Sequence, residues 1–359
     1  MNGPNKPAPR PIASLSIDFD NKWAYLRAAG RSDWESVTSY LNIVAERVLE
    51  TLGQFNLPLT VFVVGRDLKN ESDVRAIESL KQLPAHEFAN HSMNHLPWMH
   101  TMDQREIFDE IVGTHDAIEM SLGCQAKGFR GPGFSCPDEV LRVLGKLNYV
   151  YDASIFPTSL APVARAVFMA RTKLKGEQKE KAKKLYGGFA AMRNPNRPFR
   201  RTVDNHSLWE IPVTVMPLVR TPIHFSYFTF LASVSKLAAK SYLRTAFRLC
   251  RITGTAPSLL LHPPDFLGRE DDQQMAYFPG MKMPRQEKLE IVRWALQLYS
   301  QSFDVHTMIG QSHKLLGGQA TNNGVPNTIN TTSDDPTSPD RENHLVQLTT
   351  TIPRSTLSL

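Results

Sequence analysis

The feature that most constrains this chain is a rhythm. Short apolar or β-branched runs recur at 12–17, 59–64, 128–130, 149–151, 209–215, 258–261 and 303–308, and helix-length segments fit between several of them. Val37, Tyr40, Leu41, Val44, Val48, Leu49 and Leu52 follow i, i+3, i+4 spacing, which predicts a helix over 34–55 with Ser32 or Asp33 as its cap and Gly53 near its end. Ile107, Ile111 and Ile118 predict another over 102–122, terminated by Gly123. Two more, 137–147 and 284–299, carry a proline in the first turn, where a missing N–H costs nothing. Strand–helix alternation of this kind builds a largely parallel sheet or barrel, so the chain is expected to be α/β.

In parallel βα folds, functional side chains collect on the loops leaving the C-terminal ends of the strands. Asp18 and Asp20 end the first run in S-I-D-F-D-N, and i and i+2 on a strand share a face, so the carboxylates can converge or simply cap a strand-end turn. His91 and His95 lie in N-H-S-M-N-H, a spacing that puts both rings on one side of a helix or tight turn, within reach of one zinc-like ion. Arg130 ends a run in G-F-R-G-P-G-F, at a turn that exposes backbone N–H groups, and Asp152 ends another in Y-V-Y-D-A-S. His262 leaves a continuous apolar run and is followed by two prolines, in S-L-L-L-H-P-P-D-F. Each has a bland reading as a cap or a turn residue. Their shared position, one after another at predicted strand ends, favours chemistry: two histidines and a carboxylate can hold zinc with an open position, leaving a carboxylate, an arginine and a histidine for proton transfer.

Two stretches break the rhythm. Residues 161–205 hold twelve Lys or Arg against three acidic residues, which accounts for the net charge of +6. Either they form a solvated insertion or, through 165–251, they meet an anionic lipid surface or substrate. No aromatic interleaving or nucleic-acid motif accompanies them, so nucleic acid is not expected. Residues 225–251 combine Phe225, Phe228, Phe247 and Leu249 with Lys236, Lys240, Arg244 and Arg248, as either a helix packed on the domain or one lying in a membrane interface. Residues 1–11 read as a flexible polar lead without the apolar core of an export signal, which gives the cytoplasm as the default address. Residues 317–359, rich in Thr, Asn, Ser and Pro, are expected to be disordered. The three cysteines, Cys124, Cys136 and Cys250, show no paired spacing and exclude a disulfide scaffold.

Taken together in order, Ser16-Ile17-Asp18-Phe19-Asp20, His91-Ser92-Met93-Asn94-His95, Arg130-Gly131-Pro132-Gly133, Asp152-Ala153-Ser154 and Leu261-His262 resemble the motifs of the polysaccharide deacetylases, carbohydrate esterase family four with its NodB-homology domain. Tyr151–Pro157 and Glu210–Pro212 resemble one subgroup of that family. The resemblance spans about 12–310. It implies a distorted, incomplete (β/α) barrel over 12–316 with 161–251 as an insertion. It implies a divalent ion, zinc by preference, on Asp20, His91 and His95. Asp18 would be the general base, His262 the general acid, and Arg130 would orient Asp18. Asp152 would support the acid or the arginine, and the backbone N–H of Gly133 would meet the oxyanion. Two departures stand out: Phe19 separates the aspartates, and Gly133 stands where the family commonly has an aromatic, with Phe134 one residue later. The implied activity is hydrolysis of an N-acyl, chiefly N-acetyl, group from an amino sugar or polysaccharide precursor. The alternatives are a small cyclic amide or ureide, a lipid-linked formamido sugar, or a non-catalytic carbohydrate-binding module.

Overall fold

The computed structural model describes residues 10–162, 166 and 192–322. The chain divides into a unit Met1–Leu316 and a second unit Gly317–Leu359, of which residues 317–322 are described, as the end of a helix. Arg165, Arg171 and the lysines from 173 to 184 lie outside the described residues, as does most of the segment expected to be a disordered tail.

Among the described residues nine strands form one sheet: β1 (Ile12–Asp18), β2 (Leu59–Val63), β3 (His86–Asn90), β4 (Gly128–Phe129), β5 (Tyr151–Asp152), β6 (Phe199–Val203), β7 (His206–Glu210), β8 (Ser258–Leu261) and β9 (Asp304–His306). Their order is β6-β7-β5-β4-β3-β2-β1-β8, with β9 also on β1, and every pairing is parallel except the β6–β7 hairpin. Beyond β7 the chain stays extended and reaches the opposite edge, where Thr214 N–H donates to the Ser258 carbonyl at 3.1 Å and Ser258 N–H to Thr214 Oγ1 at 2.8 Å. Two such bonds bring the edges together without a strand ladder. The result is an incomplete (β/α) barrel, as expected.

Helices α1 (Lys22–Ala28), α2 (Leu41–Gly53), α3 (Glu71–Ser79), α4 (Gln104–Leu122), α5 (Asp138–Lys146), α6 (Phe225–Val234), α7 (Lys236–Ile252), α8 (Arg285–Ser302) and α9 (Met308–Asn322) accompany the sheet. The period-two alternation of β1 decides which way its side chains point. Ala13, Leu15 and Ile17 pack with Val61, Val63 and the apolar faces of α2, α4 and α8. Ser14, Ser16 and Asp18 therefore face the other side of the sheet. On that side Phe62, Ala89, Tyr151, Trp209 and Met308 form a separate inner cluster.

Three expectations are corrected. The helix predicted over 34–55 is a 3₁₀ turn at Trp34–Ser36 followed by α2, because Val37–Tyr40 is not helical. The run 209–215 straddles the end of β7, and β6 lies inside the stretch read as a basic insertion. The 225–251 stretch is two helices broken at Ser235, whose extended backbone ends α6 while its hydroxyl caps α7. Phe225, Phe228, Leu243 and Phe247 are buried in the main core, so these helices pack on the domain.

Candidate active site

Asp18 closes β1, and Phe19, buried on the opposite face, continues the extended chain by donating its N–H to Phe62 O at 3.0 Å. Asp20 then falls on the side of Asp18. It is held there from both flanks: Tyr40 Oη donates to the Asp20 carbonyl at 2.9 Å, and Asn21 caps α1 with its Oδ1 on Lys22 N–H at 2.8 Å. The Asn21 amide also donates to Ser39, Asp67 and Asp73, tying the turn to the start of α3.

The histidines sit on a turn after β3. Ser92 and His95 both have positive φ, 62° and 50°, an uncommon backbone for such residues that needs external support. Asn90 Oδ1 accepts Ser92 N–H at 2.9 Å, Ser92 Oγ accepts His95 N–H at 3.2 Å, and the Glu110 carboxylate on α4 takes both the N–H and the side-chain amide of Asn94. The outcome is convergence: Asp20 Oδ1 lies 3.3 Å from His91 Nε2 and 3.2 Å from His95 Nε2, and all three ligand atoms fall within 4.8 Å of one another. Burial alone would raise the Asp20 carboxyl, but the His95 and His91 rings facing it hold it well below the usual range. The His91 ring is desolvated too, yet Asp18 and Asp20 together raise its pKa.

Arg130 is the largest fully buried side chain of the site. Its Nη1 donates to Asp18 Oδ1 at 2.5 Å and Ser16 Oγ at 3.1 Å, its Nε to Ala153 O at 3.0 Å, and its plane lies 4.1 Å over the Phe62 ring. The carbonyl of the same residue accepts His91 Nδ1–H at 2.6 Å, which turns the Nε2 lone pair towards Asp20. Arg130 thus orients both halves of the site. His262 follows β8, with Nε2 3.8 Å from Asp18 Oδ2 and Nδ1 3.2 Å from Ser226 Oγ. Gly133 lies on the turn after Arg130 at φ 60°, and a Cβ there would meet Pro97 Cβ at 2.8 Å. Phe134 does not stand free; its ring packs on Phe156, 5.0 Å between centroids.

Asp152 bonds to neither His262 nor the Arg130 guanidinium directly. Its Oδ1 accepts Ser154 Oγ–H at 2.5 Å and its Oδ2 accepts Arg201 Nη1–H at 3.1 Å. Arg201 reaches it from β6, which pairs with β7 beyond β5. Ser154 Oγ accepts Gly131 N–H at 2.8 Å, so Asp152 supports the turn after Arg130 through one intermediary. Arg201 bridges Asp152 to Glu210 and belongs to this buried cluster, not to a solvated basic face. Burial and the neighbouring Asp152 raise the Glu210 carboxyl well above its usual value.

Sequence reasoning missed four further residues: Ser226, the buried Asp265 and Lys288 behind the H-P-P-D turn, and Tyr25, whose buried hydroxyl has no hydrogen-bond partner among the described residues. The D in H-P-P-D-F was a readable signal for Asp265; nothing local marks the others.

An incomplete parallel barrel thus gathers a candidate metal-holding group, a buried arginine–carboxylate pair and a histidine at its strand ends. The sequence model of the polysaccharide deacetylase family matches residues 14–151 of this chain. No curated protein matches by sequence. Among solved structures, a Mycobacterium smegmatis protein assigned to the polysaccharide deacetylases is 17% identical, with a TM-score of 0.54, covering 88% of this chain and 94% of that one. This likeness concerns the fold. A carbohydrate esterase family four domain of a xylanase from a Trinervitermes trinervoides hindgut metagenome is 14% identical (TM-score 0.43; 86% and 92% covered). A family four carbohydrate esterase from Streptomyces lividans, in complex with acetate, is 15% identical (TM-score 0.40; 84% and 93% covered).

Proposed function

We propose that the chain removes an N-acyl group, acetyl first among them, from an amino sugar or polysaccharide precursor, with a divalent ion held by Asp20, His91 and His95. The observation that carries this reading is the buried Asp20 Oδ1. Two imidazole Nε2 atoms approach it within 3.3 Å, yet none is in hydrogen-bonding geometry. With His91 Nδ1–H donated to Arg130 O, the neutral ring turns its Nε2 lone pair to the point that the Asp20 carboxylate and His95 Nε2 also face, a donor set that a bound cation would satisfy. Zinc suits a two-imidazole, one-carboxylate set. When bound, it would polarise the acyl carbonyl and lower the pKa of water towards about 7.

The protein's own groups do the rest. Asp18, fixed by Arg130, takes the proton from the attacking water as the bond to the acyl carbon forms. Gly133 N–H is assigned to the developing oxyanion. His262 gives its Nε2 proton to the amine nitrogen as the carbon–nitrogen bond breaks, since that nitrogen cannot leave as an anion. A free amino sugar and a small carboxylate result. Amine release from a panel of N-acetylated oligosaccharides and lipid-linked sugars, by zinc-loaded and by chelated protein, tests the proposal. Release confined to the loaded protein is the expected result, and release that survives chelation overturns it.

A second, compatible reading concerns location. Residues 211–264 contain six Lys or Arg and no acidic residue, and Val234 and Leu237, at 77% and 78% exposure, project from the α6–α7 corner beside Lys236. We propose that this corner contacts an anionic lipid surface.

A further inference from the structure

We propose that Ser226 is the positioning residue of His262 in this chain, filling one of the two places that resemblance offers Asp152, the support of the acid. The inference rests on the reading of His262 as the acid. It begins with what each group can reach. Both Asp152 oxygens are engaged by Ser154 and Arg201, whereas Ser226 Oγ stands 3.2 Å from His262 Nδ1 and the residue is 5% exposed.

Ser226 is itself held. It lies in the first turn of α6, and its carbonyl accepts Thr229 Oγ1–H at 3.3 Å. The His262 backbone is fixed independently. Its N–H donates to Asp265 Oδ2 at 2.8 Å, Pro263 and Pro264 follow, and Lys288 Nζ donates to Pro264 O at 2.8 Å. With the backbone pinned from one side and Nδ1 from the other, the ring's remaining freedom is removed and Nε2 is aimed at Asp18 Oδ2, 3.8 Å away.

A hydroxyl differs from a carboxylate in a way the chemistry would register. Ser Oγ is neutral and accepts Nδ1–H both from the imidazolium and from the ring left after Nε2 gives up its proton, so it orients both states of the cycle without a charge that favours one of them. A carboxylate partner also accepts Nδ1–H but stabilises the imidazolium over the neutral ring, typically raising the histidine pKa by about 1–3 units. The ionisable groups facing His262 are Asp18 from β1, Asp265 from its own turn, and His224 from the cap of α6, whose ring centroid is 6.3 Å away; Lys288 from α8 approaches through Pro264. Burial, with His262 nearby, pushes His224 down to about 3, so it stays neutral in the working range.

Ser226→Thr and Ser226→Val share a shape and differ in the hydroxyl. In the zinc-loaded full chain, the Thr variant is expected to keep kcat within about twofold. The Val variant is expected to lose about 3- to 10-fold in kcat at unchanged KM, the size of one hydrogen bond. Ser226→Asp is expected to move the alkaline limb of kcat upward by at least about one pH unit. Equal kcat for Thr and Val, or an Asp variant with an unmoved limb, overturns the proposal. His262→Ala separates this from the broader reading: an active His262→Ala enzyme overturns the acid assignment itself, whereas an inactive one with equal Thr and Val variants overturns only Ser226. Equal melting temperatures and zinc content of Thr and Val variants exclude a folding difference.

Discussion

Replacing Arg130 by Met would remove a cation that is completely buried and leave three acceptors behind. Asp18 Oδ1 loses a 2.5 Å partner, Ser16 Oγ one at 3.1 Å and Ala153 O one at 3.0 Å. An orphaned buried acceptor costs about 1–3 kcal/mol, more when charged, and breaking a buried ion pair from one side costs about 3–5 kcal/mol. Arg130→Met should therefore lose about 4 kcal/mol, a large share of the roughly 5–15 kcal/mol that holds a domain together. Asp18→Asn should cost less, about 1–2 kcal/mol, because Arg130 keeps Ala153 O, Ser16 Oγ and the Phe62 face, and an amide oxygen still accepts from Nη1. With both charges gone, Arg130→Met/Asp18→Asn should be more stable than Arg130→Met alone by about 1–3 kcal/mol, the coupling between contacting residues. Urea unfolding of chelated protein at pH 7, with a common m value, measures all four corners of the cycle. An Arg130→Met variant within about 1 kcal/mol of wild type, or a double variant no more stable than it, would refute the reasoning. Activity should be lost in every variant, so recovered stability without recovered turnover is the signature.

The two aspartates should separate in a metal titration: Asp18→Asn keeps zinc stoichiometry but loses about 10² to 10⁴ in turnover, as for a lost general base, while Asp20→Asn lowers zinc affinity, and normal behaviour of both places the chemistry elsewhere. Burial pushes the Asp67 carboxyl up to about 7, so the folded state holds a proton that the unfolded chain releases from about pH 4 upward. The stability this contributes is complete below pH 4 and lost as pH rises through 7; Asp67→Asn should be neutral at pH 4 and stabilising at pH 8 in urea midpoints, and a difference that does not grow with pH refutes it. Co-sedimentation with vesicles tests the lipid-facing corner: binding should need anionic lipid, weaken with salt and fall in Val234→Asp/Leu237→Asp, while equal partition onto neutral vesicles removes the reading.

The legible part of the site follows from adjacency in the sheet. Asp18, Asp20, the His91–His95 turn, Arg130 and His262 belong to β1, β3, β4 and β8, which with β2 form one unbroken run of parallel neighbours in the order β4-β3-β2-β1-β8. For such strands, lying at a C-terminal end is nearly enough to share a site, so local sequence carried the information. Asp152 lies one strand further out, where its surroundings depend on β7 and the antiparallel β6. That hairpin was hidden because inward positions of β6 include Arg201, so F-R-R-T-V shows no apolar alternation, and the arginine's charge is answered by Asp152 and Glu210, distant in sequence.

The same distinction separates what orients a group from what the group is. His262 announces itself by ending a buried strand before two prolines, but its partner Ser226 is 36 residues away on a helix whose start is set by tertiary packing. Arg130 shows how far one such orienting residue reaches. Its side chain fixes the carboxylate assigned as base, while its carbonyl fixes the tautomer of a proposed metal ligand, so proton transfer and ion binding depend on one buried residue. The fully buried Met308 completes its cage, with Sδ 3.7 Å from Nη2, at the start of α9, whose Met308 and Ile309 N–H groups are received by Thr60 Oγ1 and Glu87 Oε2. Glu87 in turn accepts Tyr151 Oη–H, and burial raises its carboxyl above the usual value. The barrel interior behind Arg130 is thus closed by the hydrogen-bonded Thr60, Glu87 and Tyr151 as well as by apolar packing. A guanidinium with this few degrees of freedom can hold Asp18 within 2.5 Å while the charge on that carboxylate changes during a proton transfer.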